Sequence, residues 1–183
     1  ALISDVFHDR DPAARLEGRL REAKSRGAEL AVLPEIPMNP WSPSTQTPRD
    51  DDAERPGGPR ERMQADAARI VGIGLVGGVI RVDPSTGRRF NTALVFSAAG
   101  EVQGTFSKCH LPEEPGFWET SHYGAGLDVS PVFDQFAMSF GVQICSDINR
   151  PQGCHLLGAM GAEFVVAPRA TERATLDRWK IVF

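Results

Sequence analysis

Lysine is scarce in this 183-residue chain, at three residues (Lys24, Lys108 and Lys180) against 17 arginines. No apolar run approaches the roughly 18 to 20 residues of a membrane span. The opening ALISDVFHDRD lacks the basic flank and long apolar segment of a secretory signal, so a cytoplasmic, reducing setting is expected. Cys109, Cys145 and Cys154 make an odd count without framework spacing, which favours free thiols over bridges. An excess of one charge is missing too: 20 basic side chains face 24 acidic ones, for a net charge of −4, and their dispersion argues against a nucleic-acid surface. Repeats and low-complexity tracts are absent. What is present is an ordinary globular composition, 41% hydrophobic and 24% charged. A chain this long buries roughly 70% of its unfolded surface, enough to form a core without disulfides or metals. The expectation is one domain over residues 1–183. Ala1 lies within an apolar run with no initiator methionine, and Trp179 to Phe183 stop in mid-pattern, so the chain is expected to be cut at both ends.

Strand-like apolar runs alternate with amphipathic stretches, the rhythm of layered α/β or α+β proteins. Ala1–Phe7 is predicted as a strand. A helix follows, capped by Asp11, with Pro12 at its first position, Leu16, Leu20 and Ala23 on one face, and Gly27 as the stop. Leu30–Leu33 is a short buried strand ending at Pro34-Glu35. Residues 42–59, containing the Asp50-Asp51-Asp52 run, are expected to form a solvated loop. Arg60–Ile70 suits a helix buried through Met63, Ala67 and Ile70, and Leu75–Val82 a strand. Asn91–Phe96 and Val102–Phe106 form a hairpin about Ala99-Gly100. Phe136–Ile144 is a strand delivering Cys145, Pro151–Met160 a helix, Phe164–Ala167 a strand, and Leu176–Phe183 a last helical stretch.

Several patterns invite chemistry. Gly72-Ile73-Gly74-Leu75-Val76-Gly77 matches G-x-G-x-x-G, but dinucleotide binding needs a strand before the glycines and a helix after, and here the order is reversed. Packing glycines around a buried strand are the better account. Cys109-His110, Cys154-His155 and His122 supply zinc-type ligands without ligand spacing, since neighbours on a strand face opposite ways. Cys145 sits where a strand turns toward a helix, as exposed nucleophiles do; a buried structural thiol is the alternative. A nucleophilic thiol needs a base and a positive group. Glu35 and Lys108 are placed for those tasks, each at or just past the carboxyl end of its strand.

Three segments together resemble the nitrilase, or carbon-nitrogen hydrolase, superfamily. Gly27-Ala28-Glu29-Leu30-Ala31-Val32-Leu33-Pro34-Glu35 looks like its glutamate motif, and Ser107-Lys108-Cys109-His110-Leu111-Pro112 like its lysine motif. Gly141-Val142-Gln143-Ile144-Cys145-Ser146-Asp147, with Pro151 downstream, is similar to its cysteine motif. The resemblance implies a four-layer αββα sandwich, incomplete at its C-terminus, and hydrolysis of a non-peptide carbon–nitrogen bond with Glu35, Lys108 and Cys145 as the catalytic set. Glu119, in Gly116-Phe117-Trp118-Glu119, resembles a second glutamate that amidase and carbamoylase branches place beside the lysine. The backbone N–H of Ser146 is the implied oxyanion donor, and Trp41, Phe117 and Tyr123 are candidate substrate contacts. No metal or organic cofactor is implied. The expected partners are a small amide or carbamoyl substrate and further copies of the chain, as a homodimer or larger homo-oligomer. A nitrile substrate, or a silent scaffold, is the alternative. Ser146 and Gln152 depart from the common residues at their positions.

Overall fold

The computed structural model describes residues 1–171 and residue 177. Helix α1 (Pro12–Ser25) begins on a proline whose missing N–H is not needed in a first turn, and it buries Leu16, Leu20 and Ala23 as predicted. Asp11 makes no side-chain cap. Helix α2 (Pro59–Val71) also starts on proline and ends at Gly72, whose φ of 70° suits a residue without Cβ. Of the expected Met63, Ala67 and Ile70 stripe, Ala67 is buried and Met63 packs partly buried against the core, but Ile70 is not part of the inner face. Gln64, Ala67, Ala68 and Val71 point inward, whereas Ile70 is exposed. A polar side chain holds the inner face because it has backbone partners there: Gln64 accepts from the Gly78 N–H at 2.9 Å and donates to the Gly78 carbonyl at 3.2 Å.

The first sheet contains β1 (Leu30–Val32), β2 (Ala53–Glu54), β3 (Gly74–Val82), β4 (Arg89–Phe96) and β5 (Val102–Ser107). Their order is β1-β3-β4-β5, with β2 paired to the far part of β3. Side chains alternate across it. Leu75, Val79, Leu94 and Phe96 join Leu16, Leu20, Ala67 and Val71 of the helices, whereas Val76, Ala93 and Val95 face the opposite way. Gly77 faces Gln64, and a Cβ there would collide with that side chain; a Cβ on Gly74 would collide with the Phe136 ring. The G-x-G-x-x-G pattern is therefore a close-packing device.

A hairpin of β6 (Glu113–Glu114) and β7 (Phe117–Trp118) follows. The second sheet pairs β8 (Phe140–Val142) in parallel with β9 (Phe164–Val166), and α3 (Pro151–Ala159) connects them. Phe140, Val142, Ile144 and Val166 pack with Phe133 onto Val32, Val76, Ala93, Val95 and Phe106 of the first sheet. Gly141 points the other way, where a Cβ would strike Leu157 of α3. The layers are helix, sheet, sheet, helix, the αββα sandwich that the motifs imply.

Three expected elements shrink. Ala1–Phe7 pairs only at Leu2, through a bridge to Val32, and residues 3–7 form no strand. Phe136–Ile144 is regular only over Phe140–Val142, because residues 136–139 turn before the sheet begins. The 42–59 segment is not wholly solvated: Ser42, Pro43, Asp52 and Glu54 are buried, and Ala53–Glu54 joins the sheet as β2. The predicted helix over Leu176–Phe183 lies outside the described residues except for Asp177, which is helical. No helix among the described residues is long and apolar enough to cross a membrane.

Candidate active site

Strand β5 is antiparallel to β4, which is antiparallel to β3, which is parallel to β1. Strands β1 and β5 thus run the same way, and Glu35 and Lys108, just past their carboxyl ends, emerge at the same end of the sheet. Leu33 extends the β1 pairing through its N–H to the Val76 carbonyl at 2.9 Å, and Ile36 then turns the chain with a φ of 39°. Lys108 donates its backbone N–H to the Asn91 carbonyl at 2.9 Å. On the second sheet, Gln143 and Cys145 donate backbone N–H groups to the Val166 and Pro168 carbonyls, prolonging the parallel pairing up to the cysteine. Cys145 itself has a φ of 47°, the left-handed region that disfavours a side chain and that clusters at functional turns.

Glu35, Lys108 and Glu119 meet between the sheets, all three buried. The Lys108 ammonium donates to Glu35 Oε1 at 2.8 Å and to both Glu119 oxygens at 2.7 Å, spending its three protons on two carboxylates. Glu119 is presented by a short 3-10 turn, Glu119–Ser121, whose first carbonyl accepts the His122 and Tyr123 N–H groups. Glu35 gains two further donors, the Asn91 amide at 2.7 Å and the Ala170 N–H at 3.2 Å. Asn91 therefore holds the glutamate with its side chain and the lysine with its carbonyl. Sequence reasoning missed it; its only signal is a polar residue at the start of an apolar strand.

Burial opposes charge on Lys108, but the charges of Glu35, Cys145 and Glu119 around it outweigh that cost and raise its pKa, so it stays an ammonium. Cys145 is 4% exposed. Burial, then the charge of Glu35, push its thiol up to about 12 against the pull of Lys108 and Arg169. The resting form is the neutral thiol.

Burial and Glu35 together push Glu119 up to about 8, against the pull of Lys108. The folded protein then keeps a proton that the unfolded chain loses near the ordinary 4.5. This group stabilises the fold fully below pH 4.5, and the contribution fades as pH rises toward 8. Glu119→Gln is expected to flatten the decline in unfolding free energy across that window, measured by urea denaturation at several pH values; an unchanged slope would mean that Glu119 is ionised throughout.

An open cavity of about 810 Å³ reaches Glu35, with Ile36, Asn39, Trp41, Phe117 and Arg169 also among its lining, whereas Lys108, Glu119 and Cys145 lie behind that lining. Trp41 donates its indole N–H to the Gly116 carbonyl at 2.8 Å and meets the Phe117 ring edge-on at 5.6 Å between centroids, making one aromatic wall. Tyr123 is not in that lining; it is buried against Ile36 and Ile80, with Trp41 beside them. Ser146 follows the cysteine and donates its hydroxyl to the His110 carbonyl. The Cys109-His110 pair, just beyond the end of β5, diverges, with the thiol toward the Ser107 and Asp128 carbonyls and the imidazole toward Asp147. Among the described residues no cluster of His, Cys, Asp and Glu is arranged to hold a metal ion.

The family model described as carbon-nitrogen hydrolase matches residues 12–180. A relative called nitrilase homolog 2, from Dictyostelium discoideum, is 35% identical over 160 residues, covering 84% of this chain and 48% of its own length. An omega-amidase from Xenopus laevis is 30% identical over 180 residues, covering 95% of this chain and 62% of its own. The chain thus spans about half to two thirds of the curated relatives it matches. Among solved structures, a carbon-nitrogen hydrolase from Helicobacter pylori superposes with a TM-score of 0.87 at 19% identity, over 99% of this chain and 66% of the other, a likeness of fold.

Proposed function

Because the chain belongs to the carbon-nitrogen hydrolase family, we propose that it hydrolyses a non-peptide carbon–nitrogen bond of a small amide or N-carbamoyl compound through a covalent cysteine intermediate. The observation that carries this reading is a single buried constellation: Glu35 and Glu119 on the Lys108 ammonium, with the Cys145 thiol within their electrostatic reach on a left-handed turn.

The chemistry follows from the protonation states. A neutral thiol is a weak nucleophile, so its proton must leave as the carbon–sulfur bond forms, and Glu35 is the acceptor. Attack by Cys145 on the carbonyl carbon gives a tetrahedral intermediate. Its oxyanion is met by the charge of the Lys108 ammonium, whose protons rest on Glu35 and Glu119, and by the Ser146 backbone N–H, at a buried position where charge stabilisation is strong. Glu35 passes the thiol proton to the departing nitrogen, the carbon–nitrogen bond breaks, and ammonia leaves an acyl thioester. A water molecule then gives its proton to Glu35 as it attacks the thioester, and the acid is released with the thiol restored. Glu119 keeps Lys108 in place and limits the charge of the site by holding a proton. Trp41 and Phe117 form the apolar side of the substrate cavity, and Tyr123 supports the turn after Glu35 by packing on Ile36. A homo-oligomeric assembly, a cytoplasmic setting and the lack of a cofactor belong to the same reading.

Ammonia release from a panel of primary amides, carbamoyl amino acids and nitriles tests it. The expected result is turnover of at least one amide or carbamoyl compound, with the acyl group trapped on the Cys145 peptide after acid quench. Turnover of nitriles alone would reassign the substrate. No ammonia from any compound, with no acyl group trapped on the Cys145 peptide after acid quench, would point to a silent scaffold.

A further inference from the structure

Two residues beyond the cysteine, Asp147 is 1% exposed and makes four hydrogen bonds, more than a turn residue needs for its own local structure. Its Oδ2 accepts the Ile144 N–H at 3.1 Å, closing the turn that carries Cys145. Its Oδ1 accepts the Cys109 N–H at 3.2 Å, the His110 N–H at 2.8 Å and the His110 imidazole at 2.8 Å. Ser146 adds a fifth link through its hydroxyl to the His110 carbonyl. The two residues after the nucleophile therefore grip the two residues after Lys108, although these segments belong to different sheets and lie almost 40 positions apart in sequence.

The geometry points to Asp147 as a positioning residue for the proposed hydrolysis: its carboxylate clamps the cysteine turn to the end of the lysine strand, fixing the distance between Cys145 and the Lys108 ammonium. This inference rests on the catalytic reading above and adds a residue to it. Physical reasons favour a carboxylate over any neutral group. The three N–H donors at Oδ1 and the one at Oδ2 all point inward, and an ionised carboxylate offers only acceptors. Burial raises the Asp147 pKa above the ordinary carboxylate value, opposed by the His110 hydrogen bonds and the Lys108 charge, which favour the ionised form. An asparagine would turn two of its own hydrogens toward the Ile144 N–H or the Cys109–His110 pair, placing donor against donor at one end of the clamp. Misplacement of a nucleophile by about 1 Å costs on the order of 100-fold in rate, so a loosened clamp is read in turnover before it is read in binding.

The test compares Asp147→Asn in the otherwise unchanged chain and in a Lys108→Ala background, with kcat and KM for the best compound of the panel. The expected result is a fall in kcat of at least about thirtyfold with KM changed less than threefold. In the Lys108→Ala background the same substitution is expected to cost less than threefold, because there is no longer an ammonium to align. A lower melting temperature with unchanged kcat per folded site would overturn the inference and leave Asp147 a structural residue. Equal losses in both backgrounds would overturn it as well. A second readout does not need turnover: the pH profile of iodoacetamide labelling at Cys145, resolved by peptide mass. Releasing the turn is expected to move that profile to lower pH, toward an ordinary thiol, and an unmoved profile would overturn the clamp. If the unsubstituted chain releases no ammonia from any compound, the hydrolase reading fails by itself and the labelling profile still decides the clamp.

Discussion

Replacing Cys145 by alanine is expected to abolish ammonia release, by at least about 10⁴-fold, while the protein stays folded. The chemical half of this expectation rests on the nucleophile: without sulfur no acyl intermediate forms, and the remaining groups offer only charge stabilisation to a direct attack by water. The structural half rests on what alanine keeps. It retains the Cβ, so the left-handed turn at a φ of 47° is no more strained than before, and the Cys145 N–H still reaches the Pro168 carbonyl. Losing one buried sulfur costs about 1 kcal/mol, comparable to a methyl-sized deletion. Serine tests the same point from another side, since a hydroxyl is harder to ionise than a thiol and sits in the same buried pocket; it is expected to be nearly as inactive. Ammonia release and thermal denaturation on the same samples check both halves. Activity retained in Cys145→Ala would eliminate the covalent mechanism.

Lys108→Ala carries the second large effect, and it falls on rate and on stability together. Loss of a preorganised oxyanion partner is expected to lower kcat by about 100-fold to 1,000-fold. The stability loss comes from what is left behind, because Glu35 and Glu119, both wholly buried, would face each other with no cation between them. Breaking a buried ion pair by removing one partner costs about 3 to 5 kcal/mol. The proton that Glu119 already holds near neutral pH is expected to be kept to higher pH once the cation is gone, so the variant's stability declines with pH over a wider window than that of the unsubstituted protein. Arginine is expected not to rescue it, since a planar guanidinium does not fit a site built around three donors from one nitrogen. Denaturant titrations at low and high pH, together with turnover, separate the effects; a loss below about tenfold in kcat would make Lys108 a structural residue.

The groups proposed to carry the chemistry were legible because each is local to a strand end. Glu35 ends an apolar run broken by proline, Lys108 follows a strand and is rare in type, and Cys145 precedes a turn into a helix. Periodicity also located α1, the β3-β4-β5 core of the first sheet, and α3. It overestimated the strands at Ala1–Phe7 and Phe136–Ile144, since apolar character marks what is buried and does not require a hydrogen-bonded partner along its whole length. On α2 it found Met63 and Ala67 but misplaced Ile70 and missed Gln64, which is polar and faces inward because of the backbone of Gly78, 14 positions away.

The amino-acid sequence by itself determined the alternation of strands and helices, the order of the three motifs, and the chemical types needed for a thiol, a base and a cation. Only the tertiary structure decided how they meet. Strand direction put Glu35 and Lys108 at one end of the sheet, the packing of the second sheet brought Cys145 within their electrostatic reach, and Asn91 and Asp147 tied the segments together. The scarcity of lysine took its meaning there too: Lys108 is wholly buried between two carboxylates. The physical reason is that charge, burial and hydrogen-bond satisfaction are properties of neighbours in space, whereas composition and spacing describe neighbours along the chain.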